Sequence, residues 1–190
     1  MDGTYLAATD HRLQAIRAYA AKALPGKVIV VLDQTSKLVS DIFPCADGHA
    51  QERCLFDEIL EQVQPQDVWA GDRNFCTLKF LFTIALKQAF FVIRQHGALG
   101  WKPMSELTPL GQTETGKLFE QEVEIAGRVG NPLRVRRVLL HLFQPTRDQE
   151  WEIAILTNLP QPDADAAEVA EVYRRRWTLE TLFQTAPFEF

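Results

Sequence analysis

Near the end of the chain, a tyrosine, an arginine and a glutamate recur at a spacing that suits chemistry on a phosphate. These residues are Tyr173, Arg176 and Glu180. On a helix of 3.6 residues per turn, positions i, i+3 and i+7 lie on one face. An apolar core rarely accepts such a mixed polar face, whereas a metal ion and a phosphate need an acid and a cation side by side. The spacing therefore indicates a site for a metal ion and a phosphate.

The element that carries these residues is predicted to be a helix over residues 166–183. A break rich in proline and aspartate precedes it, and Asp163 or Asp165 can cap its first turn. No proline or glycine then interrupts the chain before Pro187. The three side chains are thus expected on a single continuous helix.

Asp72 is the best candidate for a carboxylate facing this helix. It ends a short apolar strand predicted over residues 68–72, and a second predicted helix over residues 77–88 follows it. Ligands of α/β sheets bind at the carboxyl ends of strands. The adjacent Arg73 can hold the carboxylate or bind a phosphate. The alternative, that Asp72 only caps the following helix, remains open.

Asp33 is a rival carboxylate at the end of another strand, predicted over residues 28–32. Residues 34–37 form a turn, and aspartate is common in turns because its side chain bonds the local backbone. We therefore interpret Asp33 as a turn residue.

The sequence has no nucleophile-elbow motif, phosphate-binding glycine loop or dinucleotide-binding fingerprint.

The order of elements predicts an α/β layered fold. A first helix is expected from Thr9 or Asp10 to about Leu24, followed by strand, strand, helix, strand, helix and strand. In chain order these six elements cover residues 28–32, 38–43, 50–63, 68–72, 77–88 and 89–94.

Residues 97–160 differ in character from the preceding part of the chain. Alternating apolar and polar segments, each bounded by turn residues, predict strands at 119–125, 133–143 and 151–156. We interpret this region as a β-rich insertion within a single domain of residues 1–190. A chain of 190 residues is long enough for one domain with its own core.

Charge is distributed unevenly along the chain, although the net charge is only −5. Residues 41–72 hold eight acids and one base, and residues 128–147 hold five arginines and no acid. This asymmetry indicates a metal-binding region beside a phosphate-binding one. Unevenly charged solvent-facing surfaces explain it equally well.

Three cysteines without a close pair suit a reducing cytosol, and no apolar run is long enough to span a membrane.

Taken together, three motifs resemble those of the DDE transposases of bacterial insertion sequences. They are Asp2-Gly3-Thr4, Asp72-Arg73-Asn74-Phe75 and Tyr173-x-x-Arg176-x-x-x-Glu180. The last is similar to the Tyr-Arg-Glu-Lys signature of the IS-four type. The resemblance covers essentially the whole chain. It implies a ribonuclease H-like mixed sheet with flanking helices and a β-rich insertion before the last acidic helix.

The resemblance also implies a site and a reaction. Asp2, Asp72 and Glu180 would bind Mg²⁺ or Mn²⁺, and the side chains holding the DNA phosphate would be Tyr173, Arg176 and Arg73. The reaction would be nicking of double-stranded DNA at transposon ends, followed by attack of the freed 3′-hydroxyl on target DNA. The arginines of residues 128–147, with Arg174 and Arg175, would contact the DNA backbone. The expected partner is a second transposase subunit, and the expected location is the bacterial cytoplasm, at the nucleoid.

The sequence departs from the family pattern in three places. The family's helix continues well past the glutamate, whereas residues 185–190 do not resemble that continuation. Pro187 stands where the signature has a lysine, and the strand that should carry Asp2 would have to precede residue 1. We therefore expect a transposase fragment cut at both ends. Two alternatives follow: a catalytically inactive remnant that only binds DNA or a transposase partner, and an unrelated metal-dependent nuclease or phosphoesterase.

Overall fold

The computed structural model describes residues 1–5, 27–45, 52–127 and 131–176. Within these ranges the chain forms ten strands and three α-helices. The helix expected from Thr9 or Asp10, the end of the last helix and Glu180 lie outside the described residues.

The first sheet is an antiparallel ribbon of three strands in the order β1-β2-β3. Its strands are β1 (Asp2–Tyr5), β2 (Lys27–Leu32) and β3 (Val39–Cys45). The predicted hairpin is confirmed, and Asp33 is its turn residue. The Asp33 carboxylate accepts hydrogen bonds from the Thr35 amide at 2.8 Å and the Ser36 hydroxyl at 2.7 Å. The strand expected to carry Asp2 is present as β1, in which Asp2 lies opposite Val30.

The middle of the chain forms a parallel strand pair connected through a helix. Its elements are α1 (Phe56–Gln62), β4 (Val68–Gly71), α2 (Leu78–Leu86) and β5 (Phe90–Arg94). The β4 and β5 strands pair in parallel, with Val68 opposite Phe90. The described part of the helix predicted over residues 50–63 starts with a 3-10 turn, Glu52–Leu55, and no side chain caps α1.

The β-rich region extends the same sheet. Its strands are β6 (Lys102–Pro103), β7 (Thr108–Gln112), β8 (Gly116–Ile125), β9 (Leu133–Leu142) and β10 (Glu152–Thr157). The order is β4-β5-β10-β9-β8-β6, and β7 also pairs with β8. Because β10 pairs antiparallel with β5, the sheet is mixed.

The helices cover both faces of this sheet. The last helix, α3 (Ala166–Arg175), begins with a reciprocal capping box between Asp165 and Glu168, which confirms a predicted cap. It packs on a cluster that includes Val92 of β5, whereas Ile93 belongs to the cluster with α1 and α2. Successive strand residues point to opposite faces, so α3 lies across the sheet from α1 and α2. In the described part of the chain, no helix has the length and apolar character to cross a membrane.

Candidate active site at the carboxyl end of strand β4

Asp72 follows β4 directly and is half-buried. Its carboxylate accepts two hydrogen bonds from Asn74, one from the backbone amide at 2.8 Å and one from the side-chain amide at 3.2 Å. Asp72 therefore caps the 3-10 turn Arg73–Phe75. It does not cap α2, whose N-cap is Thr77. Asp72 is thus a cap, of the 3-10 turn and not of α2, and its carboxylate is held in one orientation at the strand end.

The start of β1 lies beside the end of β4. The backbone nitrogen of Met1 donates a hydrogen bond of 2.7 Å to the carbonyl of Ala70. Asp2 is the next residue after Met1, and Asp72 is two residues after Ala70. The structure thus brings the backbones of Asp2 and Asp72 to the same edge of the fold, while the Asp2 side chain lies outside what is described.

Helix α3 contributes Tyr173 to this edge, and Arg176 follows the helix directly. Both are buried, with exposed fractions of 3% and 5%, and the Arg176 guanidinium lies 5.6 Å from the centre of the Tyr173 ring. Burial raises the pKa of the Tyr173 phenol, and the charges of Arg176 and Arg94 oppose that rise. The negative charge of Asp72 adds to it. Ala70 of β4, two residues before Asp72, packs against the hydrophobic cluster that contains Tyr173, so this part of α3 lies near the end of β4.

Arg73 points to the hairpin between β9 and β10. Its guanidinium donates to the Glu150 carboxylate at 3.1 Å and lies 3.9 Å from Asp148. The Arg94 guanidinium binds the other oxygen of Glu150. This bond to Arg94 is the main reason that the pKa of Glu150 lies below its ordinary value. The sequence prediction missed Arg94 and Glu150, although Arg94 ends the strand parallel to β4 and so could have been placed at the same edge.

A cavity of about 540 Å³ opens next to these arginines. Arg137 of β9 lies in its wall, with its guanidinium 4.9 Å above the Trp101 ring and its Nε donating to Gln95 at 2.7 Å. Other polar groups share the wall: Arg73, Arg94, His96, Glu150 and Glu152. The cavity wall thus combines three arginines with two glutamates and the Trp101 ring.

Arg136 corrects one expectation about the arginines of residues 128–147. Its side chain is only 12% exposed and pairs with Glu120 at 2.6 Å. It also donates to the carbonyls of Leu159, at 3.0 Å, and Ala164, at 2.8 Å. Arg136 therefore holds the segment that leads into α3, and its Nε and Nη1 donors are already used by Glu120 and the two carbonyls rather than by DNA.

Among the residues whose side chains are described, no three histidines, cysteines or acids cluster closely enough to hold a metal ion. Two of the three predicted carboxylates, Asp2 and Glu180, lie outside that set. Asp72 alone is placed, and its oxygens are hard donors of the kind that Mg²⁺ prefers.

Comparison with known proteins identifies the family. The family model described as "Transposase DDE domain" matches residues 1–186. A search among curated proteins found no match. The family match spans nearly the whole chain. The chain therefore belongs to the DDE transposase family, whose role is in DNA transposition.

Proposed function

We propose that this chain is the catalytic core of a transposase of the IS-four type. Its reaction would be nicking at transposon ends and joining of the freed 3′-hydroxyl to target DNA. The observation that carries the proposal is that Asp72 follows strand β4, whose Ala70 packs against the hydrophobic cluster that contains the buried Tyr173 of α3. DNA as the substrate implies work at the bacterial nucleoid in the cytoplasm, and synapsis of two ends implies a second transposase subunit as partner.

Strand order supports a ribonuclease H-like core. The ribbon β1-β2-β3 meets β4 through the bond between Met1 and Ala70, and β5 is the parallel neighbour of β4. We infer a continuous layer in the order β3-β2-β1-β4-β5. Residues 97–160 are then an insertion, since its last strand returns to β5 before α3 begins.

Asp2, Asp72 and Glu180 would together hold Mg²⁺ or Mn²⁺. The fit rests on Asp72, because the hydrogen bonds that its oxygens accept come from the neutral Asn74. Lone pairs on both oxygens therefore stay available to a hard cation. Bound ions of this kind activate water on one side of a phosphodiester and stabilise the leaving oxygen on the other.

Tyr173 and Arg176 would orient the phosphate beside Asp72. The planar guanidinium of Arg176 presents paired donors to phosphate oxygens. The raised pKa keeps the Tyr173 phenol neutral, so its hydroxyl can donate to a phosphate without repelling it. Both side chains are buried, which reduces the screening of their attraction to the phosphate by water. Arg73, which is nearly half exposed, would reach a phosphate further along the strand.

Nicking of supercoiled plasmid in Mg²⁺ or Mn²⁺ tests the proposal. We expect Asp72→Asn and Glu180→Gln to abolish nicking that the wild-type chain performs. The control is Asp57→Asn, which changes the same charge on an exposed acid paired with Lys79. Nicking that survives loss of Asp72 or Glu180 rules out the assigned site. Salt-sensitive DNA binding without nicking would instead support the alternative that the chain is an inactive transposase remnant. The sequence argument for that alternative is Pro187, which stands where the family signature has a lysine.

A further inference from the structure

We propose that Glu150 occupies the position of a DNA phosphate between Arg73 and Arg94, and that a phosphate of bound DNA displaces it. Arg94 is then a further phosphate-binding residue of the site. The inference rests on the proposed function, because it takes DNA as the ligand.

The geometry at Glu150 is that of a bound anion. One carboxylate oxygen accepts from Arg73 at 3.1 Å, and the other accepts from Arg94. The two arginines come from different elements, the turn after β4 and the end of β5. A phosphate offers paired oxygens to guanidinium groups in the same way that a carboxylate does.

The location of this ion pair connects it with the reacting centre. Arg94 is largely buried, with a side chain 15% exposed, and it follows Ile93, which is paired in register with Gly71 of β4. Asp72 is the residue after Gly71, so Arg94 and Asp72 stand side by side at the ends of two neighbouring strands. A phosphate held by Arg94 therefore lies next to the Asp72 edge, as the neighbour of a phosphate held by Tyr173 and Arg176.

The hairpin presents Glu150 in a form that is easily released. The Glu150 amide donates to the Thr146 hydroxyl at 3.2 Å, and the Thr146 amide donates to the Glu150 carbonyl at 2.9 Å. Gln149 within this turn has a positive φ of 62°. The backbone is thus fixed by its own bonds, and the Glu150 side chain, 31% exposed, can rotate into solvent without moving β10. Partly exposed ion pairs are weak, so a DNA phosphate can replace this one.

DNA affinity of the full chain tests the proposal. Fluorescence anisotropy with a labelled duplex, at several KCl concentrations and without divalent ions, gives Kd for each variant. We expect Glu150→Gln to tighten binding by about fivefold, the effect of a partly exposed ion pair that DNA no longer has to break. Gln keeps the size of Glu in a partly exposed turn, so the fold is retained. In an Arg94→Gln background, we expect the same change to give no gain.

Asp57→Asn is the matched control. It removes the same charge and releases Lys79, an exposed cation of α2 to which no DNA contact is assigned. An equal gain in Asp57→Asn and Glu150→Gln would show a general charge effect and overturn the proposal. Unchanged or weaker DNA binding by Glu150→Gln would also overturn the proposal. It would show that the ion pairs of Glu150 with Arg73 and Arg94 have only a structural role. If the wild-type chain shows no salt-sensitive DNA binding, the proposed function itself fails.

Discussion

Replacing Arg136 by methionine is expected to destabilise the whole fold. Arg136 and Glu120 form an ion pair whose side chains are 12% and 13% exposed. Methionine keeps much of the side-chain volume but removes the charge, which leaves Glu120 buried beside an apolar group. The carbonyls of Leu159 and Ala164 lose their donor as well.

The expected loss in free energy of unfolding is about 3–5 kcal/mol, the usual cost of removing one partner from a buried ion pair. Arg134→Met is the control, because it removes the same group two residues away in the same strand. The Arg134 side chain is 74% exposed and 3.8 Å from Glu124, so we expect a loss below about 1 kcal/mol.

Urea unfolding followed by circular dichroism measures both losses, provided that the slopes stay equal. The double variant Arg136→Met with Glu120→Met should lose less than Arg136→Met alone, because no buried charge is left without a partner. A loss below about 1 kcal/mol for Arg136→Met, or one equal to that of Arg134→Met, would refute the role of Arg136 in holding the start of α3.

Three further predictions concern α3, the hairpin and the phenol. Asp165→Ala removes a capping box and should cost about 1 kcal/mol in urea unfolding, whereas Asp163→Ala, outside that box, should cost much less. The lowered pKa of Glu150 means that its contribution to stability is complete above about 4.5, its ordinary pKa, and is lost as the pH falls through the lower folded value. The urea midpoints of the wild type and Glu150→Gln should therefore converge below pH 4.5 and differ above it. Tyr173→Phe should keep the fold, since the ring fills the same space, yet weaken DNA binding; unchanged Kd would contradict the role given to the hydroxyl.

Local patterns in the sequence predicted most of the strands. The apolar runs of β2 and β5 are those of strands buried on both faces. The alternating pattern of β8 is that of a strand with one face toward the core. The strands β6 and β7 were missed because Pro103, Pro109 and Gly111 interrupt the pattern. Gly111 has a φ of 111° at a register shift opposite β8, a position that only the partner strand explains.

The site was predictable where it depends on position along the chain, and not where it depends on a distant partner. Asp72 was found because acids at strand ends recur in α/β sheets, and Asp165 because caps have a local signature. Glu150 reaches Arg73 and Arg94 only through the β9–β10 hairpin, so no spacing reveals it. Arg136 looked like other arginines of a basic stretch, and only its burial against Glu120 distinguishes it.

The central claim is that Asp72 binds the ion that supports DNA cleavage, and a ligand exchange tests it most directly. Nicking of supercoiled DNA is measured for Asp72→Cys in Mg²⁺ and in Mn²⁺, with Asp57→Cys as the control. Mg²⁺ is a hard ion that prefers oxygen, whereas Mn²⁺ accepts a thiolate more readily. We predict that Asp72→Cys is inactive in Mg²⁺ and regains nicking in Mn²⁺, while Asp57→Cys nicks in both. Nicking by Asp72→Cys in Mg²⁺ at the wild-type rate would contradict the claim.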